Sequence, residues 1–154
     1  MLKLSKRADY ALMAVNHLAR HYGQGSYSAR DIARQYRMPV GLLAKVLQRL
    51  AQQQLVRSQQ GVNGGYALAQ PPDRVSALDV ISAIDGPIQI VSCNTIARGE
   101  CEQTPTCTVK GPMLLVNERI VDALGSLSVA EMNMQGSAEF VALSAERSAL
   151  GEPV

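Results

Sequence analysis

The sequence has few large aromatic side chains and few cysteines. Its 154 residues include no tryptophan, one phenylalanine and three cysteines. An odd number of cysteines argues against a disulfide framework and for a reducing compartment. No apolar stretch approaches the roughly 20 residues that a helix needs to span a bilayer, and the first residues lack the apolar core of a secretion signal. These absences predict a cytoplasmic protein with no membrane partner.

The charged residues are unevenly distributed along the chain. Residues 1–70 carry ten basic and two acidic side chains, a net charge of +8, whereas residues 71–154 carry five basic and eleven acidic side chains, a net charge of −6. A basic half of this size favours a polyanion as partner, because phosphate contacts and counterion release dominate nucleic-acid affinity. The alternative is a solvated surface that is merely basic.

All the cysteines fall within residues 90–107, which we call the cysteine segment. Seven residues separate Cys93 from Cys101, and five separate Cys101 from Cys107. A glycine and a proline interrupt any regular element there, so the segment can fold back and bring three sulfurs together. Thiolates favour iron–sulfur clusters, zinc and copper(I). The spacing therefore predicts a soft metal centre, with zinc or bare oxidisable thiols as alternatives to an iron–sulfur cluster.

Three helices are predicted in the basic half. The first covers about residues 5–22, and Ser28 with Asp31 resembles a capping box that opens a short second helix. Pro39 fits the first turn of a third helix. The inward stripe of that helix is Leu43, Val46, Leu47 and Leu50. Two short helices joined by a tight turn are typical of a helix-turn-helix, although a compact three-helix bundle has the same pattern.

A glycine-rich hairpin is predicted after the third helix. Its strands cover residues 55–58 and 66–69, and the Asn63-Gly64 pair between them suits the positive φ angles of a tight turn. A hairpin in this place is a wing, whose backbone can approach DNA closely because side chains are absent. A nucleotide phosphate loop is the competing interpretation, but no Lys-Ser/Thr pair and no helix follow the glycines.

The acidic half predicts helices on both sides of the cysteine segment. One covers about residues 76–84 and opens with a serine cap, and a longer one covers about residues 113–124 and stops at Gly125. The longer helix is apolar on more than one face, so we expect it to bury its second face on another copy and form a homodimer. Ser128 caps a final short element.

These elements together predict a mainly α fold: a winged helix-turn-helix with a two-stranded wing, a cysteine-bearing loop and a long dimerisation helix. We expect residues 1–72 to form the DNA-binding domain, residues 73–134 the cluster-binding loop and dimerisation helix, and residues 135–154 a flexible tail. No catalytic set of side chains is visible, and no small organic substrate is expected. His17 and His21 lie four residues apart without a third ligand, which predicts ordinary, partly exposed histidines.

The chain resembles the winged-helix regulators that sense iron–sulfur status or nitric oxide, the iron–sulfur cluster regulator and nitrite-sensitive repressor family. The matching segments are residues 4–12, 43–50, 61–66, 80–84 and 127–132, together with the three cysteines. Residues 85–88 are most similar to the branch that regulates the SUF cluster-assembly genes. The resemblance implies a homodimeric transcriptional regulator, expected to be a repressor, that binds a palindromic operator in double-stranded DNA and carries a 2Fe–2S or 4Fe–4S iron–sulfur cluster.

Carried over onto this sequence, the resemblance makes Cys93, Cys101 and Cys107 the cluster ligands. The family often has five residues between its first two cysteines, against seven here. One branch adds a histidine three residues after the last cysteine, where this chain has Lys110, and an ammonium cannot ligate iron. Another branch uses an aspartate from the first helix of the other subunit, and Asp9 matches that position. The resemblance therefore implies Asp9 as the fourth ligand, with a glutamate of the cysteine segment, a small thiol or water as alternatives.

The expected DNA contacts lie on the second and third helices and on the wing. The third helix supplies the candidates for reaching bases or phosphates, and the others should contact the backbone. The candidates are Ser28, Arg30, Arg34, Val40, Lys45, Gln48, Arg49, Arg57, Gln60, Gly61, Asn63 and Gly64. Relatives commonly have an arginine in place of Gln60, so we expect weaker minor-groove electrostatics here.

The expected regulation follows from where the cluster would sit. Its gain, loss or nitrosylation would change the spacing of two winged domains and so couple an iron or redox signal to DNA affinity. The alternatives are a zinc-stabilised or thiol-redox DNA-binding module and a small iron–sulfur electron carrier. The carrier does not explain the basic half, and it would more often have four local cysteines.

Overall fold

The computed structural model describes residues 3–62, 64–91, 103 and 106–135, and it is mainly α-helical with one two-stranded sheet. The elements in chain order are α1 (Lys6–Arg20), α2 (Ala29–Gln35), α3 (Val40–Gln52), β1 (Val56–Gln59), β2 (Gly65–Leu68), a short 3-10 helix (Pro72–Arg74), α4 (Ala77–Asp85), α5 (Lys110–Ser126) and α6 (Val129–Gln135). The predicted fold class, a winged helix-turn-helix followed by a long helix, is confirmed. No helix in this described part is long and apolar enough to cross a membrane.

Serine side chains start four of the helices. The residue before each of α1, α2, α4 and α6 is a serine whose hydroxyl accepts the backbone N–H three residues further on. Each of these hydrogen bonds satisfies a donor that has no partner within its helix. The four serines are Ser5, Ser28, Ser76 and Ser128. The helix starts expected from the sequence at these positions are confirmed.

A tight turn joins α2 to α3. Arg37 adopts a left-handed backbone conformation with φ 54°, and the N–H of Met38 donates to the carbonyl of Ala33 over 2.8 Å. This pattern closes the end of α2 and redirects the chain. The stripe of α3 predicted to face inward is buried against Val15 and Leu18 of α1. The turn and this core together fix the orientation of α3.

The wing is held to the helices by an additional backbone pairing. β1 and β2 are antiparallel, with Val56 opposite Leu68. Tyr27, ahead of α2, pairs with Tyr66 of β2 through two backbone hydrogen bonds of 2.9 and 2.8 Å. The close approach requires glycine at position 65, because a Cβ atom there would lie 2.5 Å from the carbonyl carbon and oxygen of Tyr27. The wing is thus anchored beside the amino end of α2.

Helices α4 and α6 complete the core of the winged helix. The residues before them form an antiparallel bridge between Ser76 and Ser128, flanked by two backbone hydrogen bonds of 2.8 Å. Val75 and Val129 next to this bridge are buried in the same apolar cluster as α1 and α3. The segment that follows the wing is therefore packed directly onto the DNA-binding half.

Most residues of helix α5 are exposed. Asn117 is its only buried residue, while Leu115 and Val116 are exposed. The helix begins at Lys110, three residues before the predicted start, because the missing N–H of Pro112 is harmless in a first turn. It continues through the predicted stop at Gly125 to Ser126. A long helix with so little intramolecular burial has a face available for another copy of the chain.

Candidate DNA-binding surface and cysteine segment

The exposed face of α3 carries polar and basic side chains. Lys45 and Gln48, both predicted DNA contacts, are exposed, and Val40 at the start of the helix is 45% exposed. Gln52 is also exposed and lies four residues after Gln48, on the same face. Gln52 was not among the predicted DNA contacts, although its helical spacing pointed to it. Opposite the buried stripe, these side chains form a continuous surface that can enter a major groove.

Helix α2 presents its arginines beside this surface. Arg30 and Arg34 are exposed. Ser28, another predicted contact, is engaged at the helix start: its hydroxyl accepts the N–H of Asp31 over 3.1 Å and donates to the Asp31 carboxylate over 2.5 Å. The amino end of α2 carries partial positive charge and suits an anion, but the Asp31 carboxylate already lies there.

Arg49 is exposed, as predicted, yet it is bound to another helix. Its Nε donates to the backbone carbonyl of Ala83 in α4 over 3.1 Å. The residue also lines a surface cleft of about 340 Å³ together with Arg7 and Lys45. One nitrogen of the Arg49 guanidinium is therefore used within the protein, a contact that the sequence did not predict.

The wing brings its predicted residues to two different places. Arg57 lies near the base, where it lines a cavity of about 140 Å³ beside His21 at the end of α1. Gln60 and Gly61 lie near the tip and are exposed, and Gly61 has φ +119°. A side chain at Gly64 would meet backbone oxygens at 2.5 and 2.8 Å. The tip is thus a tight turn that requires glycine.

One residue of the wing tip was not singled out from the sequence. Val62 is fully exposed, with a relative exposure of 105%. An isolated apolar side chain beside a glycine in an otherwise polar turn was the available signal. The neighbouring Asn63, predicted to contact DNA, lies outside the described residues.

The two histidines at the end of α1 differ in exposure: His21, the C-cap residue, is partly exposed as expected, whereas His17 belongs to the core. His17 is 3% exposed, which corrects the expectation of a partly exposed residue. Its Nδ1 lies 3.2 Å from the hydroxyl of Tyr36, and Tyr27 packs edge-on against its ring at 4.9 Å. Burial lowers the pKa of His17, and the charge of His21 adds to the effect. A neutral imidazole therefore sits where α1, the wing anchor and the end of α2 meet.

The predicted cluster ligands fall partly outside the described residues. Cys93 and Cys101 lie there, whereas Cys107 is a free, half-buried thiol two residues before the N-cap Val109 of α5. Among residues 3–62, 64–91, 103 and 106–135, no three histidine, cysteine or acidic side chains are grouped to hold a metal. The structure thus places one of the three thiols, next to the start of α5.

Asp9 lies in the first turn of α1 with an exposed carboxylate. The neighbouring cation, Lys6, has its ammonium 5.6 Å from the centre of the Tyr10 ring. The start of this helix is tied to α4, because the hydroxyl and N–H of Ser5 donate to the Asp85 carboxylate over 2.6 and 3.2 Å. The position of Asp9 is therefore set by the end of α4.

The beginning of the cysteine segment is attached to α5. The N–H of Ile90 donates to Oδ1 of Asn117 over 3.0 Å, and Asn117 is 5% exposed. The other end of the segment leads into Val109, the residue before α5. Asn117 lies eight residues along the helix from Val109, about 12 Å at 1.5 Å per residue. Both ends of the segment are held on the same helix.

Comparisons with known proteins agree with this architecture. Residues 4–135 match the Rrf2 family, described as iron-dependent transcriptional regulators. The transcriptional regulator IscR of Xenorhabdus nematophila is 28% identical over 131 residues, which cover 85% of this chain and 79% of that protein.

Solved structures of regulators are similar along most of the chain. CymR of B. subtilis, described as its global cysteine regulator, has a TM-score of 0.74 at 26% identity and covers 89% of this chain and 100% of that one. IscR of T. potens has a TM-score of 0.69 at 26% identity, and the match covers 88% of this chain and 89% of that one. The similarity includes both the DNA-binding half and the long helix.

Proposed function

Because the chain belongs to the Rrf2 family of iron-dependent transcriptional regulators, we propose that it is a cytoplasmic homodimeric repressor whose DNA affinity is set by an iron–sulfur cluster. As a member of this family it is a DNA-binding transcriptional regulator and not an enzyme. The proposed targets are cluster-assembly or stress genes, in line with the likeness of residues 85–88 to the SUF-regulating branch. The proposed signal is iron–sulfur status, redox state or nitric oxide.

The DNA-binding part of the proposal is supported by the exposed face of α3 and by the wing. Lys45, Gln48 and Gln52 lie exposed on one face of the helix, a composition suited to base edges and phosphates. The wing tip beyond Gln60 suits a minor groove, where Val62 can contact the groove walls. The net charge of +8 on residues 1–70 supplies the electrostatic attraction.

The dimer is supported by the unburied surface of α5. Two copies joined along this helix would present two α3 helices, and a twofold arrangement of this kind matches a palindromic operator with half-sites about one helical turn apart. Exposed Leu115 and Val116 would then be buried.

The observation that carries the cluster proposal is the anchoring of the cysteine segment at both ends. A segment that starts against Asn117 and ends beside Val109, two residues about 12 Å apart along α5, can bring Cys93, Cys101 and Cys107 to one point. The half-buried free thiol of Cys107 fits such a group, and thiolates are the ligands that iron–sulfur clusters prefer. Asp9 of the other subunit is proposed as the fourth ligand, since its carboxylate is exposed and its helix is fixed by Asp85.

The cluster, when bound, supplies a redox- and nitric-oxide-reactive centre. The residues of this chain would translate its state into a change of position. Asn117 holds the segment to the dimer helix, Asp9 would reach across to it from α1, and Asp85 links α1 to α4. Without the cluster the link from Asp9 to the other subunit would be missing, and this would shift the population of DNA-binding geometries.

A thiol-based sensor is the second candidate. The free, half-buried thiol of Cys107 supports it, as does the likeness to the B. subtilis regulator that is described as a cysteine regulator. In addition, Lys110 stands where one branch of the family has a histidine ligand, so this chain lacks that iron ligand. A thiol sensor would hold zinc or no metal.

Anaerobic purification distinguishes the candidates. The visible absorption spectrum and the iron, sulfide and zinc contents should show a coloured protein with iron and sulfide in similar amounts. A colourless protein with stoichiometric zinc would exclude cluster sensing. Gel shifts on a duplex selected by the protein from a randomised library, with competitor DNA and varied salt, test DNA specificity independently of the metal.

A further inference from the structure

Three parts of the molecule converge on the last turn of α4. Arg49 of α3 donates from Nε to the carbonyl of Ala83 over 3.1 Å. Ser5, at the start of α1, donates to the carboxylate of Asp85 over 2.6 Å. Gly86 then ends the helix with φ +85° and starts the path towards the cysteine segment. Helix α3, helix α1 with Asp9, and the chain that leads to the cysteine segment thus meet at this turn.

The contact from Arg49 meets a specific need of this turn. The last four carbonyls of a helix have no N–H partner within it and carry partial negative charge. The carbonyl of Ser82 accepts the N–H of Gly86 over 3.0 Å, and the carbonyl of Ala83 accepts Arg49. A guanidinium at this place caps the helix and is attracted by its dipole.

The surroundings of Arg49 favour this contact over an ion pair. The cleft beside it is lined by Arg7, Lys45 and Arg49 and by the apolar residues Leu42, Val46 and Ile84. Its lining therefore holds three cations and no carboxylate. Because an exposed side chain of this length has many rotamers, a directional bond to the end of α4 restricts where the guanidinium lies and where α3 sits.

We propose that Arg49 is a positioning residue that couples α3 to the end of α4, and not primarily a DNA contact. DNA bound on α3 is then sensed at the last turn of α4, and by reciprocity a change at that turn alters the DNA affinity of α3. The link from this turn to the state of the cysteine segment rests on the proposed function. The coupling between α3 and α4 does not require a cluster.

Hydrogen exchange of the full-length protein tests the coupling, with Arg49→Met as the variant and Arg74→Met as the matched control. Arg74 is an exposed arginine of the 3-10 helix outside the proposed DNA surface, so both variants lose one charge. In the free protein, the amide of Gly86 should exchange about five- to tenfold faster in Arg49→Met, because the last turn loses a stabilising hydrogen bond. Arg74→Met should exchange at the wild-type rate.

Binding of a duplex that the wild-type protein selects from a randomised library provides the second readout. Saturating DNA should slow exchange at Gly86 in the wild type and in Lys45→Met, which loses a proposed DNA contact, but not in Arg49→Met. The salt dependence of binding should keep its slope in Arg49→Met and fall by about one in Lys45→Met, as expected for one lost phosphate contact.

The opposite pattern overturns the proposal. If Arg49→Met lowers the salt slope by about one and leaves the exchange of Gly86 at the wild-type rate, Arg49 is a phosphate contact. If the wild type selects no duplex, the proposed function fails instead. The exchange rates of the free proteins then still decide whether Arg49 supports the end of α4.

Discussion

Replacing Gly65 with alanine should separate the wing from the helices. A Cβ atom at this position would lie 2.5 Å from the carbonyl carbon and oxygen of Tyr27 and 2.9 Å from the nitrogen of Ser28, whereas ordinary contacts are 3.4–4 Å. All three neighbouring atoms belong to the backbone, so no rotamer change relieves the overlap. The strand must move away from Tyr27.

The size of the effect follows from what this movement breaks. Tyr27 and Tyr66 share two backbone hydrogen bonds of 2.9 and 2.8 Å, each with a net contribution of about 1 kcal/mol. Overpacking of an existing contact costs about 1–3 kcal/mol. We therefore expect the free energy of unfolding to fall by about 3–5 kcal/mol, and the affinity for DNA to fall with it because the wing loses its anchor.

Urea denaturation measures this change, with Gly41→Ala as the matched control. Gly41 lies in α3 with no atom within 4 Å of the added Cβ, and alanine stabilises a helix relative to glycine by up to about 1 kcal/mol. Replacing glycine with alanine should thus lower the free energy of unfolding at position 65 and raise it at position 41. A Gly65→Ala variant within about 0.5 kcal/mol of the wild type would refute the described packing of the wing on Tyr27.

The remaining predictions concern the core of α1 and the cysteine segment. Asn117→Leu should lower the free energy of unfolding by about 1–3 kcal/mol, because the amide of Ile90 loses its buried acceptor, and should also reduce the iron bound; unchanged urea midpoint and iron content would contradict this. Burial lowers the pKa of His17 below the usual histidine value of 6.5, so the unfolded chain binds a proton more readily than the folded one. The contribution of neutral His17 to the free energy of unfolding should therefore be fully present above about pH 6.5 and be lost as the pH falls below it. Urea titrations at several pH values should show a weaker pH dependence in His17→Phe. The same slope of unfolding free energy against pH in both proteins would contradict the assignment. Asp9→Ala should change the visible spectrum or the stability of the cluster while the apo-dimer stays intact, whereas Asp73→Ala, at another exposed carboxylate, should not; an unchanged spectrum in Asp9→Ala would exclude this ligand.

Local signals in the sequence were sufficient for the architecture of the DNA-binding half. The caps at Ser28 and Ser76 were recognisable because they depend on residues within one turn. The buried stripe of α3 was recognisable from its period, and the glycine-rich stretch 61–65 indicated the hairpin, although the positive φ angle lies at Gly61 and not at Gly64 as expected. Each of these features is decided by neighbours in the chain.

The features that the sequence did not predict depend on distant residues. His17 is buried because Tyr27 and Tyr36 close over it from outside α1, and helical spacing does not show which other elements cover a face. Arg49 has an outward position by the same spacing, and only the packing of α4 brings the carbonyl of Ala83 within reach. In the sequence Asn117 is one of several polar residues of α5, beside Glu118 and Arg119, and only the fold shows that Ile90 lies against it.

The most direct test of the account compares DNA binding by two anaerobically prepared proteins, the wild type and a variant with Cys93, Cys101 and Cys107 all replaced by serine. The duplex is the one that the wild type selects from a randomised library, and the dissociation constants are measured at one fixed salt concentration. We expect the two affinities to differ by about 5- to 150-fold, the range typical of allosteric coupling. Equal affinities, from a wild type that carries iron and sulfide, would contradict the claim that the thiols control the DNA-binding surface.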